Sequence, residues 1–136
     1  MNLTRVVVNN PELDPITVFL EDFELSKGKI TITCFGKAWT AYWGGMSGKT
    51  VAEFFCSCDV HYLAGNLSDI DSEITDFHEI SKVIDEEVDQ NTLMLYSEKL
   101  SIAYGDEWWR DLPEITNHEY TYLCKIIKAV QNGIPR

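Results

Sequence analysis

Seven consecutive residues, Gly44-Gly45-Met46-Ser47-Gly48-Lys49-Thr50, are the clearest invitation to chemistry in this chain. A glycine-rich turn that ends in Gly-Lys-Thr can wrap a phosphate with successive backbone N–H groups. The spacing falls one residue short, because Trp43 stands where the first glycine of such a loop is needed. No apolar strand ending in a metal-holding aspartate accompanies it, and the preceding segments pattern as antiparallel strands. A plain glycine-rich turn between a strand and a helix is therefore expected.

Cys56-Ser57-Cys58 with His61 offers thiols and an imidazole of the kind that hold zinc or form a Cys–His nucleophile. Residues two apart on a helix point about 200° from one another. Both thiolates then cannot face one ion, no second cysteine pair has metal-binding spacing, and no third group is identifiable to orient His61. Buried, reduced cysteines are expected, with no metal and no cofactor. Tyr104 to Arg110 places Asp106 and Glu107 beside Trp108 and Trp109. Adjacent carboxylates diverge, whereas an acid/base pair must flank one bond at a set separation. One indole should plug the core, with a carboxylate near a helix start or paired with Arg110. A small hydrolase or transferase using His61, Cys58 and Asp106 or Glu107 requires these groups to converge in one pocket. Trp39, Tyr42 and Trp43 could stack bases, but only Lys37 and Lys49 are positive nearby, and a stacking platform needs a basic groove. Trp43 is instead a candidate anchor for a protein partner.

The elements that must position these residues follow from periodicity. Leu3, Val6 and Val8 form a short β-prone run. Ile16, Val18 and Leu20 repeat at period two, as do Ile30, Ile32 and Cys34, and Trp39 to Trp43 suits a pleated surface. From Thr50 the period becomes helical: Val51, Phe54, Phe55 and Cys58, then Val60, Leu63, Ala64 and Leu67. Leu93, Tyr96, Leu100, Ala103 and Tyr104 predict a helix ending at Gly105. Thr116 with Glu119 forms a capping-box pattern ahead of an apolar stripe through Tyr120, Leu123, Ile127, Val130 and Ile134. The expected fold is α+β: an antiparallel sheet of about four N-terminal strands followed by four or five helices packed on one face. At 136 residues, with ordinary globular composition and no long linker, a single domain over 1–136 is expected. No apolar run approaches a membrane span or a secretory leader, so a cytosolic protein without membrane contact is expected.

Charge is the least ordinary property. Between Asp69 and Gln90 nine acidic residues face one base, Lys82, a formal charge of −8 out of −11 for the whole chain. A helical projection puts Ile74, Phe77, Ile80, Ser81, Ile84 and Val88 on one face and Asp76, Glu79, Asp85, Glu86 and Glu87 elsewhere. A charge run can do no more than keep a helix soluble. The functional alternative is a ridge of carboxylates that seeks a basic partner and disfavours direct binding to a phosphate backbone.

The stretch from Ile30 to Met46, with Tyr104-Gly-Asp-Glu-Trp-Trp109 and Tyr122 to Gln131, resembles a family of small proteins encoded by tailed phages and prophages. The resemblance implies an accessory protein acting in a bacterial host cytoplasm. Small acidic phage proteins are often inhibitors of host defence, including anti-CRISPR and anti-restriction proteins that occupy nucleic-acid sites. The expectation is a host protein with a basic surface, met by Asp76, Glu79, Asp85, Glu86 and Glu87 with Trp43 as anchor. A self-associating accessory protein without a host target is the remaining alternative.

Overall fold

A computed structural model describes all 136 residues. The chain forms two compact units: Met1–Ile70 with His118–Arg136, and the intervening Asp71–Asn117.

The first unit begins with a four-stranded antiparallel meander: β1 (Asn2–Val8), β2 (Ile16–Glu24), β3 (Lys27–Cys34) and β4 (Lys37–Trp43), in that spatial order. Register keeps the alternating apolar residues in rows across the sheet. Val6, Val18, Ile32 and Trp39 form one row, and Leu20, Ile30 and Ala41 another. Because side-chain direction alternates along a strand, these rows share a face. The β3–β4 turn holds Phe35 at φ 49° and Gly36 at φ 75°. Two positive φ values match the twist of a tight hairpin, which suits Gly36 but strains Phe35.

Three helices cover the apolar face of this sheet. In α1 (Val51–Ser57), Thr50 and Glu53 form a reciprocal capping box. In α2 (Val60–Leu67), Asp59 accepts hydrogen bonds from the His61 and Tyr62 amides. The last helix of the chain, α5 (His118–Gly133), buries Leu123, Ile126, Ile127 and Val130 at helical spacing. These residues join Ile16, Val18, Ile30, Ile32, Phe55 and Leu63 in one core. Gln131 on α5 donates to the carbonyls of Phe55 (3.0 Å) and Cys58 (2.9 Å), capping the end of α1 from outside that helix.

The second unit has its own core, Ile80, Ile84, Val88, Leu100 and Trp108. Its two short strands, β5 (Glu73–Thr75) and β6 (Glu114–Thr116), pair antiparallel with Ile74 opposite Ile115. Between them lie α3 (Phe77–Ile84), a 3-10 turn at Leu93–Tyr96, α4 (Ser97–Tyr104) and a second 3-10 turn at Trp108–Arg110. Gly105, at φ 93°, ends α4 where the sequence predicts a stop.

Several expected elements are shorter than their apolar periodicity suggests. The acidic helix is only eight residues long. Ile74 belongs to β5, Asp76 is the N-cap, and Asp85 ends the helix in the left-handed region (φ 55°, ψ 45°). Three consecutive acids, Asp85 to Glu87, would oppose the negative end of the helix dipole, so continuing the helix through them is unfavourable. Val88 reaches the core by another route, its N–H donating to Ser81 Oγ at 3.1 Å. Thr116 closes β6, and α5 begins two residues later at His118.

Replacing Phe35 with Asn, which tolerates a positive φ, should stabilise the protein by about 0.5–1 kcal/mol. Gly133 meets β1 so closely that an added Cβ would lie 2.6 Å from Val8 Cγ1. The Gly133→Ala variant should lose roughly 1–3 kcal/mol of stability through overpacking. Chemical denaturation of the two variants checks both signs.

Candidate functional site

The charge is partitioned between the units more sharply than a linear reading shows. Asp71–Asn117 holds thirteen of the 22 acidic residues and three of the eleven basic ones, a net −10 in 47 residues, whereas the larger unit carries −1.

The five expected acidic contact residues do not line one helix face. Asp76 uses one carboxylate oxygen to cap α3, accepting from the Glu79 amide at 3.1 Å. Glu79 lies 4.0 Å from Lys82, a loose pair. Asp85 is the left-handed cap, and Glu86 and Glu87 follow the helix. Glu86 is paired with Lys99, which raises the lysine above its ordinary pKa first through that hydrogen bond and then, against a little desolvation, through the charges of Glu86 and Asp85. Asp85 and Glu87 are exposed.

A more organised surface lies elsewhere in the same unit. An open groove of about 650 Å³ is lined by Ile74, Phe77, Leu93, Leu112 and Trp109, together with Asp71, Glu73 and Glu114. Pairing of β5 with β6 makes Glu73 and Glu114 diagonal neighbours, since Glu73 faces Thr116 and Thr75 faces Glu114. The Glu114 carboxyl is held above the usual carboxylate range. Its hydrogen bond with Glu73 is the largest cause, followed by the charge of Glu73, some desolvation and the charge of Asp71. Trp109 is 59% exposed and stands edge-on to the buried Trp108, their ring centroids 5.8 Å apart. A braced but uncovered indole beside unneutralised carboxylates suits a cationic ligand group.

Residues Glu73, Glu114, Asp71 and Trp109 are absent from the sequence-derived contact set because 41 positions separate the two glutamates. One signal was available: Glu-Ile-Thr occurs twice, at 73–75 and 114–116, and the two copies are the paired strands.

The expected aromatic anchor requires correction. Trp43 is only 7% exposed, because strand parity places it with Ala41 on the inward face of β4. Its Nε1 donates to Tyr62 Oη at 3.2 Å, and its ring lies 5.2 Å from that of Phe54. Tyr42, one residue earlier, is the outward aromatic.

The remaining chemical candidates are occupied locally. In the Gly44–Thr50 turn the Met46 side chain is fully buried and its amide donates to the Ser26 carbonyl. The Thr50 amide donates to Glu53 and the Val51 amide to Asp22, so the chain's own carboxylates take the donors a phosphate would need. Cys58 is pushed above the ordinary thiol range, burial being the largest cause, which opposes thiolate formation. His61 Nδ1 lies 2.7 Å from Tyr120 Oη with the two rings stacked. Glu107 pairs with Arg110 at 2.7 Å, and Asp106 accepts from Ser101. His61, Asp106 and Glu107 are thus each engaged with a different neighbour, Tyr120, Ser101 and Arg110.

No helix is long and apolar enough to cross a membrane. A family model described as a phage family matches residues 2–135. No curated protein and no solved structure matches the chain.

The raised Glu114 carboxyl gives a signed expectation. Because the folded state binds this proton more tightly than the unfolded chain, the stability it contributes is complete at acid pH and is lost as pH rises through the folded pKa. Glu114→Gln should therefore unfold at a higher temperature than wild type near neutrality, with the advantage shrinking below the ordinary glutamate range. Thermal unfolding of both proteins across pH checks it.

Proposed function

The chain belongs to that phage protein family, and from this premise we propose that it is an accessory protein which binds a host protein by covering a basic surface with its acidic second unit. The observation that carries this reading is the net −10 held by 47 residues on a protein whose other 89 residues carry −1. A field of one sign confined to one compact unit falls off within roughly 8 Å in physiological salt, so it acts on the surface that meets that unit. It steers encounter with a positive partner and repels a nucleic acid. Asp85 and Glu87, exposed beyond the end of α3, and Glu79 and Glu86 beside them supply the outward charge. Asp76 adds to the field although one of its oxygens is engaged in capping.

A host surface that itself binds DNA or RNA has the matching chemistry, since rows of lysine and arginine that hold phosphates also hold closely spaced carboxylates. Inhibition of a nucleic-acid-binding defence protein, of the anti-CRISPR or anti-restriction kind, is the form of binding this favours. The protein would act in the bacterial cytoplasm, where such targets are found.

Capture of host proteins from lysate by the wild type, compared with an Asp85→Lys/Glu87→Lys variant, tests the proposal. Capture by wild type should be specific and fall with added salt, and the variant should bind at least about tenfold more weakly at low salt. Capture that ignores both salt and charge reversal refutes the reading.

A further inference from the structure

We propose that the groove of the second unit is the seat for an arginine-bearing segment of the basic partner, the guanidinium lying on the Trp109 indole with Asp71, Glu73 and Glu114 answering its charge. This inference rests on the reading of the acidic unit as a partner-binding surface, and it names the place and chemistry of the contact.

The occupant follows from charge and shape together. The groove offers apolar walls from Ile74, Phe77, Leu93 and Leu112, an exposed indole, and three carboxylates, with no lysine or arginine among its lining residues. An apolar peptide would leave those carboxylates uncompensated, and an anion would add to their repulsion. A second copy of this chain would set one −10 unit against another, which disfavours self-association through this surface. A cationic segment relieves the repulsion between Glu73 and Glu114, and its aliphatic stem can lie along the apolar walls. Arginine suits the seat better than lysine. Its planar guanidinium stacks on an aromatic face and bridges two carboxylates at once, whereas an ammonium is a compact, strongly hydrated charge.

The local architecture holds these parts in place. Trp108 is buried in the second core and braces Trp109. Glu73 and Glu114 sit on paired strands, closed on one side by the Asp76 amide donating to the Pro113 carbonyl at 2.8 Å and on the other by the Asn117 amide donating to Ser72 at 2.9 Å. The indole and the carboxylates thus rest on ordered backbone, which lowers the cost of ordering them around a ligand.

The test uses the full chain labelled with nitrogen-15 and titrated with a short capped arginine–glycine peptide, the four indole N–H signals serving as reporters. A Trp109→Phe variant identifies the Trp109 signal by its loss. The peptide should move the Trp109 signal and leave that of the buried Trp43 in place. The same peptide built with citrulline, which keeps the shape and removes the charge, should not bind, and a lysine–glycine peptide should bind several-fold more weakly. Trp109→Ala should weaken the arginine peptide about tenfold, and Glu73→Gln/Glu114→Gln should weaken it at least as much. Unperturbed signals from Trp39 and Trp43, together with an undiminished thermal unfolding temperature, show that the fold of these variants is intact. Equal binding of the citrulline peptide, or shifts confined to other indoles, overturns the proposal. If the groove variants still capture host protein in a salt-sensitive way, the groove assignment falls while the partner-binding reading stands. Loss of salt-sensitive capture by the wild type itself removes both.

Discussion

The pairing of two identical tripeptides, Glu73-Ile-Thr75 with Glu114-Ile-Thr116, is the constraint on which the rest of the architecture depends. It closes an excursion between α2 and α5, so that α5 can complete the core begun by the sheet. The same pairing sets Glu73 and Glu114 diagonally across a narrow ribbon, where a hydrogen bond with Glu73 and, after it, the charge of Glu73 raise the Glu114 carboxyl. Chain closure and electrostatic frustration are two aspects of one short ladder. Only hydrogen bonds and the Ile74–Ile115 pair offset the crowding of charge there.

Segregation of charge follows from the same division. The larger unit has a sheet, three helices and an extensive apolar core to stabilise it, and its acids and bases nearly balance. The smaller unit fixes a modest core, centred on Leu100, Ile80 and Trp108, while bearing thirteen carboxylates. Part of this load is absorbed by local structure: Asp76 caps a helix, Glu86 meets Lys99, and Glu107 meets Arg110. Asp71, Glu73 and Glu114 meet no base in their groove. Such crowding of carboxylates is costly in isolation and is relieved by a cation.

The parts of the fold legible in the sequence are those in which local period and tertiary burial agree. The strand alternation of Ile16, Val18 and Leu20 and the stripe of α5 place their side chains in the core as read. The Thr50 turn is the helix start that its residue types suggest. The acidic segment misleads because Ile74 and Val88 are placed by means other than a helix: Ile74 is exposed on a strand, and only Val88 is buried. A strand takes the first, and a loop hydrogen-bonded to Ser81 takes the second. Periodicity alone cannot distinguish those routes from about two further helical turns. Trp43 was legible by parity, since Ala41 and Trp43 alternate with Tyr42, yet aromatic content alone does not say which face is covered. The groove was the least legible feature, because its carboxylates meet only through a pairing of distant triplets.

The neck where the second unit leaves and re-enters has a consequence for how such a chain can vary. Asp71 and Asn117 are joined directly, the Asn117 side-chain amide donating to the Asp71 carbonyl at 3.0 Å. Segments whose ends lie that close can lengthen, shorten or be exchanged without displacing the helices on either side. The stretch from Asp71 to Asn117 is then the portion of the chain whose length and sequence can change most freely.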